Sequence, residues 1–116
     1  MKAIPRSGWI GHGISLQDVE SVADHSFSVC MLSLLLADLE VKRGVRINVE
    51  RVLRLAVLHD MSESLTFDIS KEYLRYLGDK GEAVKNQLEE AASKHLVQGL
   101  SDDTLARAYA GLHAEY

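Results

Sequence analysis

Hydrophobic side chains recur at helical spacing through most of this 116-residue chain. From Ser21 onward, apolar residues return every three or four positions up to about Arg43, which is typical of an amphipathic helix. Ser21 is a suitable N-cap, because Asp24 follows it in the first turn, and Gly44 is a suitable stop. The pattern therefore predicts one long helix from Ser21 to Arg43.

A second hydrophobic segment follows a short link at residues 44–48. Asn48 is a suitable N-cap, and residues 49–58 are apolar nearly all round, which is typical of a central helix. This helix is predicted to close at His59 and Asp60, or alternatively to continue over Met61 to Leu65. The short link favours an antiparallel hairpin of the two helices.

The two ends of the chain differ from this middle part. Residues 1–20 contain the only proline and several glycines, so they are predicted to be irregular. A brief helix is predicted over 71–77, a longer one over 82–96, and a last one from Asp102 to Glu115 with Ser101 as its cap. No stretch alternates long enough to predict a strand. The predicted fold class is all-α, a bundle of about five helices.

Composition and charge narrow the class of protein. With 47% apolar and 26% charged residues, the chain is typical of one globular domain. A net charge of −4 without a basic stripe argues against a nucleic-acid polymer as partner. The single cysteine, Cys30, favours a reducing, cytoplasmic location and is expected to be a small buried hydrophobe. The longest apolar stretch, residues 29–39, is too short and interrupted to predict a membrane span.

Two histidines and an aspartate are the most informative polar residues. His59 and Asp60 close an apolar helix, and His25 lies in the first turn of the preceding helix. Imidazole and carboxylate groups are the ligands that transition metals take in catalytic sites. If the helices pack as a hairpin, these three residues are predicted to hold one divalent ion. Taken singly, each also fits a structural role as a core or capping residue.

A straight hairpin leaves the two histidines at different depths. His25 precedes Gly44 by 19 residues, whereas His59 follows Asn48 by 11. At about 1.5 Å per residue, the depths differ by about 12 Å. A tilted crossing or an extra turn in the link is needed to bring the imidazoles together.

Four further residues are candidates for the same site. Glu63 shares a helix face with His59 and suits a general acid or base, or alternatively a solvated residue or a partner that orients His59. Asp68 suits a ligand or substrate contact, or the cap of the helix that follows. Arg6 suits a phosphate and Trp9 a nucleobase, although spacing alone favours a surface arginine and an anchoring tryptophan.

Three segments together resemble the HD-domain metal-dependent phosphohydrolases, and within them the branch of the 5′-deoxynucleotidases. The segments are residues 5–9 (PRSGW), 20–27 (ESVADHSF) and 54–69 (RLAVLHDMSESLTFDI), in the family's order and near its spacing. The resemblance implies an all-helical HD domain over residues 1–116 and favours a homodimer.

The resemblance also implies roles for individual residues. His25, His59 and Asp60 would be metal ligands, and Glu63 would be the acid/base residue near the attacking water. The residues that would face the nucleotide are Arg6, Trp9, Thr66 and Asp68. The implied reaction is hydrolysis of a nucleoside 5′-monophosphate, with a deoxyribonucleotide as expected substrate, assisted by one divalent ion such as cobalt, manganese or zinc.

Part of the family pattern is missing from the chain. The family has a fourth ligand, an aspartate on a later helix, but Asp102 and Asp103 lie too early in the pattern, at a helix start. An opening helix before Arg6 is also missing, so we expect a partial HD domain that lacks the C-terminal helices of the family.

Two other functions remain as alternatives. The first is a non-catalytic nucleotide-binding or scaffolding HD domain. The second is a cyclic-nucleotide phosphodiesterase or di-iron oxygenase, which needs ligands for a second metal ion. The chain has no second His-Asp pair to supply them.

Overall fold

The computed structural model describes residues 1–115, apart from the side chains of residues 113 and 114, and it has the predicted all-α fold. The elements are α1 (Ser7–Gly11), α2 (Val22–Lys42), α3 (Val49–Leu58), α4 (Glu63–Thr66), α5 (Lys71–Leu74), a 3₁₀ segment (Arg75–Lys80), α6 (Gly81–Gln98) and α7 (Asp103–Glu115). The five predicted helices correspond to α2, α3, α5, α6 and α7. Helix α1 was not predicted, because so short a helix shows no periodicity in a sequence. Helix α4 overlaps the alternative continuation over Met61 to Leu65, but it is separate from α3.

Both ends of α2 lie where the sequence places them. The Ser21 side chain accepts the N–H of Asp24, and the Asp24 carboxylate accepts the N–H of Ser21, so a capping box starts the helix. Gly44 has φ +90°, and the N–H of Val45 donates to the Glu40 carbonyl at 3.0 Å. This Schellman motif ends the helix, because only glycine adopts that backbone conformation at little cost.

Helix α3 starts as predicted but ends earlier. The Asn48 side chain accepts the N–H of Arg51 at 2.9 Å, which caps the first turn. The helix ends at Leu58, so His59 is its C-cap and Asp60 lies in the turn that follows. Helix α3 packs along α2 and also contacts α7. Its Val57 is exposed, so the helix is not buried all round.

The later helices agree with the prediction apart from two details. The cap of α7 is Asp102 and not Ser101, because the Asp102 carboxylate accepts two N–H groups of the first turn. The short helix predicted over 71–77 is α-helical only to Leu74 and continues as 3₁₀ turns. Gly78, with φ +58°, interrupts that segment.

The core among the described residues is small. Its buried apolar side chains are Ile4, Val22, Ala37, Ala56, Leu58, Ala92 and Val97. Cys30 is half-buried, so the expectation that it is fully buried was wrong. Seven large apolar side chains of α2 are exposed, and they form what we call the α2 apolar face: Phe27, Met31, Leu32, Leu35, Leu36, Leu39 and Val41.

Helix α2 also bears on the question of a membrane. An 18-residue window of this 21-residue helix has a mean hydropathy of 1.4, so the helix is long and apolar enough to cross a bilayer by length and composition alone. The prediction against a span took only residues 29–39 as the apolar stretch, so it disagrees with this result. Core helices of soluble proteins and signal sequences pass the same test, so this finding is weak evidence for a span.

The start of α6 offers a test of close packing. A Cβ on Gly81 would overlap the Leu74 carbonyl oxygen and lie 3.0 Å from its carbonyl carbon, whereas a Cβ on Gly111 in α7 would meet nothing within 4 Å. We expect Gly81→Ala to lower the free energy of unfolding by about 1–3 kcal/mol. Gly111→Ala should raise it by about 0.5–1 kcal/mol through helix propensity. Urea unfolding measures both, and equal effects would contradict the packing described for Gly81.

Candidate metal and active site

The N-terminal segment places Arg6 beside the start of α2. The N–H of Val22 donates to the Ile4 carbonyl at 2.8 Å, and the N–H of Arg6 donates to the Glu20 carbonyl at 3.0 Å. Residues 4–6 therefore run antiparallel to residues 20–22, with an isolated bridge between them. This pairing brings the Arg6 side chain to the turn after α3.

His25 and His59 meet at one end of the α2–α3 pair. Their ring centroids are 5.5 Å apart, with an angle of 56° between the ring planes. Asp60 Oδ2 lies 3.0 Å from His59 Nε2 and 3.6 Å from His25 Nε2. The structure thus brings the three predicted ligands together. The two helices therefore do not form a straight hairpin, in which the histidines would differ in depth by about 12 Å.

The second nitrogen of each imidazole faces a different acceptor. His59 Nδ1 lies 2.7 Å from the Ala56 carbonyl oxygen, and because a carbonyl only accepts, this nitrogen carries the hydrogen. His25 Nδ1 lies 3.6 Å from Glu20 Oε1. Both rings therefore turn Nε2 toward Asp60.

This donor set fits one divalent transition metal ion. The three ligand atoms all lie within 4.8 Å of one another. An ion about 2.1 Å from each ligand separates neighbouring ligand atoms by about 3.0–3.4 Å, close to the 3.0 and 3.6 Å between Asp60 and the two imidazoles. Among the side chains that the structure describes, this is the one cluster of three or more such groups with suitable spacing.

Asp60 and His59 each favour the charged form of the other. Burial disfavours the charged form of Asp60, but the hydrogen bond from His59 and the charges of His59, Arg6 and His25 lower its pKa below the usual value. Burial also opposes protonation of His59, yet Asp60 and the Ala56 carbonyl raise the pKa of the imidazole. A metal ion at this position therefore competes with a proton for His59.

Arg6 faces three carboxylates at once. Its Nη1 lies 3.3 Å from Asp60, 3.3 Å from Glu63 and 3.5 Å from Asp68. The alternative that Arg6 is an ordinary surface arginine was therefore wrong. One positive charge against three carboxylates leaves a negative field when all are ionised, and such a field attracts a divalent cation.

Glu63 is buried beside this cluster. Only 5% of the residue is exposed, so the alternative of a solvated glutamate was wrong. Burial raises its pKa, and the negative charges of Asp60 and Asp68 raise it further, to about 7, although Arg6 and Lys85 oppose the shift. A carboxyl group that titrates near neutral pH can both accept and release a proton.

The raised pKa of Glu63 predicts a pH-dependent stability of the metal-free chain. Its pKa is about 7 in the folded state, against 4.5 as the ordinary value. Between these values the folded state keeps a proton that the unfolded chain has released. The free energy of unfolding should therefore fall as pH rises through this interval, by about 3 kcal/mol in total.

Urea unfolding in the presence of a chelator, at about pH 5 and about pH 8, measures this fall. Glu63→Gln has no proton to release, so its free energy of unfolding should lack this component. Equal pH slopes in the two chains would contradict the prediction.

Asp68 joins the loop after α4 to the N-terminal segment. Its Oδ2 accepts the N–H of Ser7, the first residue of α1, at 2.7 Å, in addition to its contact with Arg6. The helix that follows is capped by Ser70, so the alternative that Asp68 caps it was wrong. Phe67, just before Asp68, has φ +61°, which is costly for a bulky residue and marks a tightly constrained loop.

The other two predicted substrate residues differ in position. Trp9 is 52% exposed, and its Nε1–H donates to Glu20 Oε1 at 3.1 Å, so the indole is both anchored and open to a ligand. Thr66 Oγ1 lies 3.3 Å from the Ser62 carbonyl and 3.1 Å from the Phe67 carbonyl. Its hydroxyl is thus directed to the backbone at its own helix end rather than to Arg6 or the histidines.

Glu20 is a site residue to which the sequence analysis gave no role. One of its carboxylate oxygens approaches both the Trp9 indole nitrogen and His25 Nδ1. The only signal in the sequence was its place at the start of the segment 20–27. Glu20 lies in the loop before α2, so the spacing of residues along a helix does not predict its contact with Nδ1 of His25.

Comparison with known proteins identifies the family. The protein-family model described as "HD domain" matches residues 1–116. The chain therefore belongs to the HD domain family, as its motifs predicted. The chain is 33% identical over 116 residues to the 5′-deoxynucleotidase HDDC2 of Danio rerio, covering all of this chain and 51% of that protein. It is 43% identical over 70 residues to the 5′-deoxynucleotidase hdd1 of Schizosaccharomyces pombe, covering 60% of this chain and 31% of that protein.

A solved structure shares the fold. A conserved hypothetical protein from Pyrococcus furiosus superimposes with a TM-score of 0.76 at 35% identity, over 99% of this chain and 59% of that chain. The chain spans about half the length of the curated relatives it matches. The family and the all-α fold are therefore confirmed.

Proposed function

We propose that the protein is a metal-dependent phosphohydrolase that converts deoxynucleoside 5′-monophosphates to nucleoside and phosphate. The observation that carries this proposal is the convergence of His25, His59 and Asp60 beside a buried Glu63. The names of relatives in the same family, 5′-deoxynucleotidases, support the substrate class.

The proposed roles follow from the chemistry of the side chains. His25, His59 and Asp60 would hold the ion, which when bound supplies positive charge to orient the phosphate and activate a water. Glu63 would take a proton from the attacking water as the new P–O bond forms. It would then return the proton to the 5′-oxygen of the nucleoside as the old P–O bond breaks.

Substrate contacts are proposed for Arg6, Trp9, Thr66 and Asp68. The ion pairs of Arg6 with the described residues all use Nη1, so the rest of its planar guanidinium can donate to a phosphate oxygen. The exposed indole of Trp9 offers a face on which a nucleobase can stack. Asp68, on the loop beside Arg6, and Thr66, at the end of α4, would complete the substrate side.

Phosphate release tests the function directly. The chain, loaded with Co²⁺, Mn²⁺ or Zn²⁺, is incubated with each deoxynucleoside and ribonucleoside 5′-monophosphate. We expect release from deoxynucleoside monophosphates that stops when a chelator removes the metal. Tight nucleotide binding in calorimetry, with the nucleotide recovered unchanged, would instead assign the non-catalytic nucleotide-binding function. If neither turnover nor nucleotide binding is observed, both functions are rejected.

The ion is proposed to be cobalt, manganese or zinc. Two imidazole nitrogens and one carboxylate oxygen form a borderline donor set that suits such ions better than calcium or magnesium. Elemental analysis of the purified chain, together with rates measured for each ion, tests this choice.

A cytoplasmic homodimer without nucleic-acid or membrane partners is proposed as the biological form. The α2 apolar face supports a contact with a second copy, and the single cysteine supports a reducing compartment. The net charge of −4 supports the absence of a nucleic-acid partner. Sedimentation velocity measures the dimer, and vesicle flotation measures any membrane binding.

A further inference from the structure

We propose that Glu20 is a positioning residue that holds His25 in the tautomer needed at the metal position and ties that imidazole to Trp9. The inference rests on the metal site of the proposed function but not on the identity of the substrate.

The geometry around the His25 ring carries this inference. Nε2 lies 3.6 Å from Asp60 Oδ2, and Nδ1, on the other side of the ring, lies 3.6 Å from Glu20 Oε1. A neutral imidazole has one N–H and one lone pair. A carboxylate only accepts, so Glu20 favours the hydrogen on Nδ1, whereas Asp60, at the same distance, favours it on Nε2 when no ion is bound. When an ion is held between Asp60 and the imidazoles, Glu20 keeps the hydrogen on Nδ1 and leaves the Nε2 lone pair directed at the metal position.

His59 shows the same arrangement with a different acceptor. Its Nδ1 faces the Ala56 carbonyl at 2.7 Å, and its Nε2 faces Asp60 at 3.0 Å. For His59 the acceptor is part of its own helix, one turn back. His25 lies in the first turn of α2, where Glu20 in the preceding loop provides the acceptor.

The position of Glu20 is itself well determined. Its backbone carbonyl accepts the N–H of Arg6 at 3.0 Å, within the antiparallel pairing of the N-terminal segment. The same Oε1 that faces His25 accepts the Trp9 indole N–H at 3.1 Å. One oxygen atom therefore lies between a metal ligand and the aromatic side chain proposed to face the nucleotide, so a shift of His25 on metal binding should reach Trp9.

Zinc titration of matched variants tests the role of Glu20. Glu20→Gln keeps an oxygen that can accept from Trp9 but removes the negative charge facing His25. Asp18→Asn, two residues earlier and exposed, makes the same change of charge away from the site. We expect Glu20→Gln to weaken Zn²⁺ binding by about 10–100-fold, the usual effect of losing such a partner. Asp18→Asn should leave the Kd of Zn²⁺ unchanged within about twofold, since the exposed carboxylate is largely screened.

Trp9 is the only tryptophan in the chain, so its fluorescence reports on the link. Saturating Zn²⁺ should change the emission of the wild-type and Asp18→Asn chains. The change should be smaller in Glu20→Gln at equal saturation. An unchanged response in Glu20→Gln would overturn the link between His25 and Trp9.

Nitrogen chemical shifts of the His25 ring provide a readout that needs no metal. In the metal-free chain at high pH, Glu20 and Asp60 face opposite nitrogens of the ring at the same 3.6 Å. Removing the Glu20 charge in Glu20→Gln should therefore raise the fraction of the Nε2–H tautomer above that of the wild-type and Asp18→Asn chains. The inference is overturned if Glu20→Gln matches Asp18→Asn in both Zn²⁺ affinity and His25 tautomer.

These readouts separate the inference from the proposed function. Full effects of Glu20→Gln in a chain that releases no phosphate would keep the role of Glu20 and reject the enzyme. If the chain releases phosphate and Glu20→Gln has no effect on Zn²⁺ binding or on the His25 tautomer, the enzyme is kept and the role of Glu20 is rejected.

Discussion

Replacing Asp60 by asparagine is expected to weaken metal binding strongly and to lower phosphate release together with it. Asp60 is the one anionic ligand of the cluster, and the same oxygen faces both imidazoles. Metal binding worth about 10–16 kcal/mol in a four-ligand zinc site corresponds to about 3–4 kcal/mol per ligand, so losing Asp60 should weaken affinity by about 10²–10³-fold. Competition with a chromogenic chelator measures the affinity, and a phosphate assay measures turnover.

Asp38→Asn is the matched control for this change. It removes the same charge with the same change of shape, at an exposed position on α2. Circular dichroism of both variants separates a lost ligand from a lost fold, because Asp60→Asn also removes a partner of Arg6. A folded Asp60→Asn chain that binds Zn²⁺ as tightly as Asp38→Asn would show that Asp60 is not a ligand.

Glu63→Gln is expected to slow turnover by about 10²–10⁴-fold, the usual contribution of a general acid or base. The amide keeps the shape of the buried side chain but cannot exchange a proton. Because Glu63 lies beside the three ligands rather than among them, the Kd for metal and the KM for nucleotide should change only a few-fold. Steady-state kinetics at saturating metal separate kcat from KM.

Glu82→Gln, at an exposed position on α6, is the control for Glu63→Gln. If Glu63→Gln and Glu82→Gln turn over at the same rate, Glu63 is not the general acid or base. A loss of metal affinity in Glu63→Gln as large as that in Asp60→Asn would instead make Glu63 a ligand.

Helix boundaries in this chain were largely predictable where a cap lies within a few residues of the helix. Ser21, Gly44 and Asn48 were each assigned correctly, because their hydrogen bonds close within one turn of the backbone. Ser101 was assigned wrongly as a cap, since Asp102 competes for the same donors from the next position. Helix α1 was missed because a single turn carries no periodic signal, and α4 was expected only as a continuation of α3 rather than as a separate helix.

The candidate ligands were also identified from the sequence, first through their residue types and positions at helix ends and then through the resemblance of three segments to a family. The partners of those residues were not. Arg6 and Asp60 are 54 residues apart in the chain, and Ser7 and Asp68 are 61 apart. Spacing alone favoured a surface role for Arg6, because no local pattern shows that three carboxylates surround it.

The all-α fold class, the main helix ends and the identity of the candidate ligands follow from the order of the residues alone. Caps are satisfied by near neighbours in the chain, and metal preference follows from side-chain chemistry. The convergence of His25 and His59 on Asp60, the burial of Glu63 with its pKa at about 7, and the contact of Glu20 with His25 depend on how the helices pack. These properties depend on distances of a few ångströms between segments and on the local exclusion of water, which packing sets and residue order does not display.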